Sequence, residues 1–335
     1  MKDKHLMHFL LATGASISSE TPVSGQITVA NAAMNYGGSF HQTISSYVSG
    51  FPSDDETASL EALCPGIQTN DFFRFLKADD EAFLTDTDDS DIRARGGVFK
   101  RVQYKGTTAV DETQQKGLTM RVDHKDLVKN DGVIVPGWEN NYAMELRKRL
   151  VRADKYRFFT LLNAAATNVA VTFSATTNPD GLLRAMVQLT RLATGRMPTH
   201  CLIGNSSWQG RIDAYEAAAR VNVGSVNHSD YDEAALARYL QVEKVIIEQG
   251  MMQTVKGGAK VDDLGLVNYS YSAAPSKIVG DPTNAFRAWS PVTGGGEWAV
   301  SIQPQNVYTD ITVWHESKIV IPQTTGIRKT TVTLA

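Results

Sequence analysis

The chain has 335 residues, enough for about two ordinary domains, and 42% hydrophobic with 21% charged residues is the balance of a globular protein. Lysine and arginine number 33 against 36 aspartate and glutamate, a formal net charge of -3; this excludes a dedicated nucleic-acid binder and leaves only local, weak contact with nucleic acid. Two cysteines, Cys64 and Cys201, with no Cys-x-x-Cys pair, exclude a zinc ribbon or thioredoxin-like site and predict buried free thiols.

Lys2 and Lys4 precede a short apolar run at 6–12 that His8 interrupts, so the start is not read as a signal peptide. No run approaches the ~20 apolar residues of a membrane span. Residues 13–49 are rich in Ser, Thr, Gly and Asn and too poor in large apolar side chains to fold alone. The expectation is an arm ordered by a neighbour. Residues 70–84 predict a short amphipathic helix with Phe72, Phe73, Leu76 and Phe83 on its apolar side. Asp86, Asp88, Asp89 and Asp91 follow. A calcium loop needs Gly sixth and Glu twelfth; counting from Asp86 these are Asp91 and Gly97, so the run is a solvated acidic loop.

Residues 98–105 alternate as a strand, with Val98, Lys100, Val102 and Tyr104 on one face and Phe99, Arg101, Gln103 and Lys105 on the other. The return strand alternates more cleanly: Leu118, Met120 and Val122 against Thr119, Arg121 and Asp123. Gly106 and Gly117 bracket a polar tip at 107–116. An isolated ribbon is marginal in water, so two readings are open: an ordinary surface hairpin, or an arm that lies on a second copy of the chain.

After a turn at Val135, Pro136 and Gly137, nothing breaks a helix until about Thr167, a span on the order of 40 Å. Glu139 complements the dipole in its first turn. Its predicted apolar stripe is Tyr142, Leu146, Leu150, Ala153, Leu161 and Ala165. Arg147, Lys148, Arg149, Arg152, Lys155 and Arg157 load the middle with positive charge. That charge reads as inter-subunit ion pairing, as weak contact with packaged nucleic acid, or as a solvated face.

Mixed α and β elements follow. Asn178 caps a helix with Pro179 at its first position and Gly195 at its end. A strand is expected at 199–204, helices from Ser206 and over 230–240, and strands at 242–248 and 264–271. The tail alternates as strand around Trp298, Val300 and Ile302, then over 307–321, then at Thr330, Val332 and Leu334. There is no internal repeat.

Chemistry is sparse. The seven histidines show no metal spacing, and there is no phosphate loop, no Gly-x-Gly-x-x-Gly and no Gly-x-Ser-x-Gly. His200 beside Cys201 is not read as a thiol site, because adjacent strand residues face opposite sides. No catalytic, cofactor or metal residue is assigned.

The order of these elements resembles the major capsid proteins of tailed bacteriophages with the Hong Kong 97-type fold. The resemblance covers the chain from about Arg95 onward. It is carried by Phe99-Lys100-Arg101-Val102-Gln103-Tyr104-Lys105-Gly106 and by Lys116-Gly117-Leu118-Thr119-Met120-Arg121-Val122-Asp123-His124. Pro136-Gly137-Trp138-Glu139, Asn178-Pro179-Asp180 and Gly195-x-x-Pro198 continue it. It implies an α+β fold: an N-terminal arm and leading peripheral segment at 1–92, an extended loop at 93–126, a peripheral domain with a spine helix at 127–177, an axial domain at 178–296, and peripheral C-terminal strands at 297–335.

The implied function is a non-enzymatic subunit of an icosahedral phage head, present in the virion and assembled in the bacterial host cytoplasm. The alternatives are an encapsulin-type shell around enzyme cargo or, from another class, a monomeric α/β enzyme. Implied partners are copies of the chain as hexamers and pentamers, scaffolding and portal proteins, a possible decoration protein, and double-stranded DNA held weakly; no membrane and no cofactor is implied. The sequence shows no sign of a removed scaffolding segment, so a separate scaffolding protein is expected. Inter-subunit contacts are expected from Phe99, Arg101, Tyr104, Lys105, Asp111, Glu112 and Lys116 of the loop. Inter-subunit or DNA-facing charge is expected from Arg147, Lys148, Arg149, Arg152, Lys155 and Arg157. Lys100, Lys105 and Lys116 are loop lysines without an assignable crosslink partner, so no crosslink is expected.

Overall fold

The computed structural model describes residues 39–40, 45, 48, 55–77, 107–129, 133–134, 137–222, 232–253, 255–273, 283–292 and 295–335. In chain order the elements are β1 (Ser39–Phe40), α1 (Asp55–Leu63), β2 (Gly66–Gln68), β3 (Phe72–Lys77), β4 (Thr107–Glu112), β5 (Gln114–Asp123) and the one-turn α2 (His124–Leu127). Then come β6 (Val128–Lys129), β7 (Val133–Ile134), α3 (Trp138–Ala165), β8 (Thr167–Phe173), α4 (Pro179–Thr194), β9 (His200–Gly204), α5 (Asn205–Asn222) and α6 (Glu233–Leu240). The remainder is strand: β10 (Lys244–Glu248), β11 (Met251–Met252), β12 (Val261–Asp262), β13 (Val267–Tyr271), β14 (Phe286–Ser290), β15 (Trp298–Pro304), β16 (Tyr308–Val320) and β17 (Arg328–Leu334).

Two sheets organise the described residues. The first is built on β16, which β5 pairs along its whole length with Tyr308 opposite Asp123 and Ser317 opposite Gln114. β15 pairs residues 309–315 of β16 and β14 pairs residues 316–320, so these two lie end to end along the other edge. The second sheet has the order β10-β9-β13-β17-β8, parallel at β10-β9 and β17-β8 and antiparallel between. The tail strands thus divide: β15 and β16 build the first sheet, and β17 inserts between β13 and β8 of the second.

Local chemistry explains the helix ends. Asn178 Oδ1 accepts from the Gly181 N–H at 3.0 Å, Pro179 occupies the first turn, and Gly195 at φ 71° lets its N–H reach the Arg191 carbonyl. The left-handed turn at Gly137 starts α3, and the extended Ala166 ends it. α3 buries Ala143, Leu146, Arg147, Leu150, Val151, Asp154, Lys155, Phe158, Phe159 and Leu162, a strict three-four spacing that makes one face. Its first half packs with Trp298, Val300, Ile311 and Val313 on the first sheet. Its second half, through Phe158, Phe159 and Leu162, packs with Leu202, Tyr269 and Tyr271 of the second. One helix therefore ties both sheets together, and each large side chain buried there contributes about 1.5–3 kcal/mol.

Several expectations are corrected. Residues 72–77 form strand β3 rather than part of an amphipathic helix: Phe73 is buried, Phe75 half-buried and Phe72 72% exposed, which is period two. Strand β3 pairs β4 antiparallel, and Phe73 and Phe75 pack edge-on against Phe286. The expected polar tip at 107–116 is therefore strand, β4 and the start of β5. Strand β5 does not stand apart as an arm, because β16 pairs one of its edges along its whole length and Val122 is buried. The paired strand expected at 98–105 and the acidic run lie outside the described residues. Of the arm expected at 13–49 only 39–40, 45 and 48 are described, and contrary to an arm ordered by a neighbour these are held by their own subunit: β1 pairs β15, Ser45 bonds to Val300, and Val48 is buried with Leu146 and Leu150. Leu161, placed on the apolar stripe of the long helix, is 41% exposed.

Close packing under β9 has a measurable consequence. A Cβ on Gly204 would lie 2.1 Å from the Gly265 carbonyl oxygen, a backbone atom with no freedom to swing away. Gly204→Ala is expected to cost about 1–3 kcal/mol of stability. Urea denaturation checks it; a cost under about 0.5 kcal/mol would show that the 263–266 turn yields freely.

Candidate functional site: the long helix and its buried charges

The apolar face of α3 is interrupted where the helix passes from one sheet to the other. Asp154, 1% exposed, accepts from Lys116 Nζ at 2.9 Å, from Arg157 Nη1 at 2.6 Å and from Ser317 Oγ at 3.3 Å. Lys116 also donates to Ser317 Oγ at 3.2 Å. His315 Nε2 stands 3.6 Å from Asp154 Oδ2, and its ring stacks on Trp298 at 4.2 Å between centroids. Lys116, His315 and Trp298 lie side by side on adjacent strands, all turned toward the helix.

The electrostatics follow from burial. Burial alone raises the Asp154 carboxyl, but the surrounding positive charges and donors prevail and hold it below its usual range. Burial lowers His315 to about 3, so this ring is neutral at neutral pH and Lys116 with Arg157 supply the compensation. Burial also lowers Lys116, against the pull of Asp154. Ser317 donates to Asp154 and not to His315, so the three side chains lack the serine–histidine bond that nucleophilic catalysis requires.

Two further ion clusters flank this one. Lys155 donates to Glu248 Oε1 at 2.7 Å and lies 3.8 Å from Asp263 Oδ2. A Cβ on Gly250 would collide with Asp263, Glu248 and Lys155, so the pair closes over a bare backbone. Arg287, 2% exposed, donates to both Glu61 and Glu297, and its guanidinium is held well above its usual value despite burial.

The charged residues expected to act between subunits are therefore distributed as follows. Arg147 is buried, donates to the Val48 carbonyl and sits over the Trp298 ring at 5.5 Å. Lys155 and Arg157 pair within the subunit, and Lys148 lies 3.9 Å from Glu145. Arg149 and Arg152 are exposed. In the loop, Lys116 is buried against Asp154, Asp111 accepts from Lys318, and Glu112 is exposed. Phe99, Arg101, Tyr104 and Lys105 lie outside the described residues. Sequence reasoning missed Asp154, Glu248, His315 and Ser317; the one local signal was a lone acid, Asp154, set among cations with Arg157 three residues on.

Cys64 and Cys201 are buried free thiols; burial pushes Cys201 up to about 12, far from a reactive thiolate. His200 stacks on Tyr271 in one core while Cys201 packs in the other, so the pair faces opposite sides of the sheet. Among the described residues no group of His, Cys, Asp and Glu is placed to hold a metal, and no helix is long and apolar enough to cross a membrane.

No protein-family model matches the chain, and no curated protein does. Solved structures do. A phage-related protein from Bordetella bronchiseptica RB50 superposes with a TM-score of 0.58 at 14% identity, over 88% of this chain and 97% of that one. Weaker likenesses are a virus-like particle from Pyrococcus furiosus (TM-score 0.46, 12% identity, 81% and 92% covered) and the putative capsid protein of a prophage of E. coli CFT073 (TM-score 0.46, 9% identity, 86% and 97% covered). Over most of its length the chain has the α+β fold of the Bordetella phage-related protein, the fold class that its resemblance to Hong Kong 97-type capsid proteins implies.

Proposed function

We propose that the chain is a major capsid protein that self-assembles into the icosahedral head of a tailed double-stranded DNA bacteriophage. The observation that carries this reading is the fold shared with the phage-related structure, which spans nearly the whole of both chains. The interior supports it: the buried charges of α3 pair within the subunit and brace the junction of the two sheets, a structural use of ionisable groups rather than a reactive one.

In this reading hexamers and pentamers form the shell, with scaffolding and portal proteins as partners; the virion is the destination and the host cytoplasm the place of assembly. Phe99, Arg101, Tyr104, Lys105 and the exposed Glu112 make the loop contacts. Asp111 and Lys116 are engaged within their own subunit, and Arg149 and Arg152, exposed on the helix, face a neighbour or DNA.

Size-exclusion chromatography followed by electron microscopy of the expressed chain tests the proposal. Closed particles of uniform size are expected. A stable species with the mass of one chain would reject the shell, and purified particles filled with a protein cargo instead of DNA would move the reading to an encapsulin-type compartment.

A further inference from the structure

The cluster at Asp154 contains a group that its surroundings leave unused. His315 is 1% exposed, and both ring nitrogens lack a hydrogen-bond partner. A buried imidazole with neither nitrogen satisfied carries a desolvation cost that packing on Trp298 does not remove. Nε2 nevertheless points at a carboxylate only 3.6 Å away, less than 1 Å beyond the length of a charge-assisted bond of about 2.8 Å. Burial keeps the ring uncharged, and Lys116 with Arg157 already compensates Asp154.

We propose that Lys116, Asp154 and His315 form a proton-coupled latch between strand β5 and the long helix. In the closed state Lys116 of β5 neutralises Asp154 and His315 is neutral. When β5 moves off β16, Lys116 leaves with it. Asp154 then remains buried with Arg157 and Ser317, and Arg157 is half-exposed. His315 takes up one proton from solvent at Nε2 and stays charged, and that N–H donates a hydrogen bond to Asp154 Oδ2, replacing the lost ammonium. The displaced state binds one more proton than the closed state, so by linkage acid favours displacement and displacement draws in a proton.

The charged surroundings agree with this assignment. From α3, Asp154 and Arg157 face the ring; from β5, Lys116; from β14, Arg287, itself compensated by Glu61 of α1 and by Glu297. Removing Lys116 deletes one positive neighbour of the ring and frees its one negative partner, and both changes favour the imidazolium. The latch is internal to the subunit and does not depend on the shell reading.

Histidine C2 hydrogen–deuterium exchange read by mass spectrometry gives the pKa of His315 in the intact chain, assembled or not. Lys116→Met is expected to raise it by about one to two units, Lys116→Arg to leave it in place, and Lys116→Met with Asp154→Asn to abolish the rise. An unchanged His315 pKa in Lys116→Met overturns the latch. Should Lys116→Met fail to fold, backbone amide exchange across 114–123 decides, after correction for intrinsic rates. Protection in the wild type should fall between neutral pH and about pH 4.5 by roughly tenfold more than in His315→Gln. Equal pH dependence in the two proteins overturns it.

Discussion

Asp154→Ala will lower the stability of the subunit by about 3–5 kcal/mol at neutral pH. The carboxylate is the acceptor for both Lys116 and Arg157, and the Lys116 side chain is only 10% exposed. Without Asp154, Lys116 is a buried ammonium with two guanidinium groups, Arg157 and Arg287, as its charged neighbours. The cost measures that stranded charge rather than the worth of the pair. Replacing both partners by apolar side chains, Asp154→Leu with Lys116→Met, should therefore cost far less, within about 2 kcal/mol of the wild type. Guanidinium denaturation of the three proteins settles the comparison. A single-variant cost below about 1 kcal/mol would mean that water reaches the pair and screens it.

The second large effect is on acid stability. His315 titrates near 6.5 when unfolded and is pushed down to about 3 by burial in the fold. Between those values the unfolded chain holds a proton that the folded chain does not. Stability is therefore intact above about pH 6.5 and drains away as pH falls toward 3. The wild type should lose roughly 3 kcal/mol from this group alone between pH 7 and pH 4. Asp154 acts in the same direction, because its lowered carboxyl contributes stability that is lost as pH falls through its folded value. In His315→Gln the histidine part of the slope disappears while the Asp154 part stays. Parallel pH profiles for the two proteins would contradict this account.

What could be read from the sequence depended on how far each determinant reaches along the chain. Asn178, Pro179 and Gly195 act within a turn of themselves, so helix α4 was legible to its ends. The tail strands were legible because a half-buried strand alternates residue by residue, as β16 does. The run Phe72-Phe73-Arg74-Phe75-Leu76 was not: short apolar runs suit helix or strand equally, and the choice is made by β4, some 35 residues away, which offers a ladder of hydrogen bonds. Strand β4 was hidden in turn by its own polarity, since nearly all its side chains are exposed or half-exposed. The ionic cluster was the least legible. Whether Lys116, Asp154 and Ser317 are solvated or buried together is decided by contacts 38, 163 and 201 residues apart. Composition shows only charges on a helix and says nothing of which ones face inward.

The insertion of β17 between β13 and β8 also sets the order of events during synthesis. Until residues 328–334 emerge from the ribosome, β13 and β8 present two facing rows of unpaired amides and carbonyls, and each is a template for another strand. Strand β16, which must find β5 across nearly 200 residues of chain, arrives almost as late. Neither sheet can therefore be completed before these two strands have been made. A crowded polysome turning out many copies at once holds them all with open edges, so the time between synthesis and closure is when copies can cross-pair and when chaperone binding to those edges matters most.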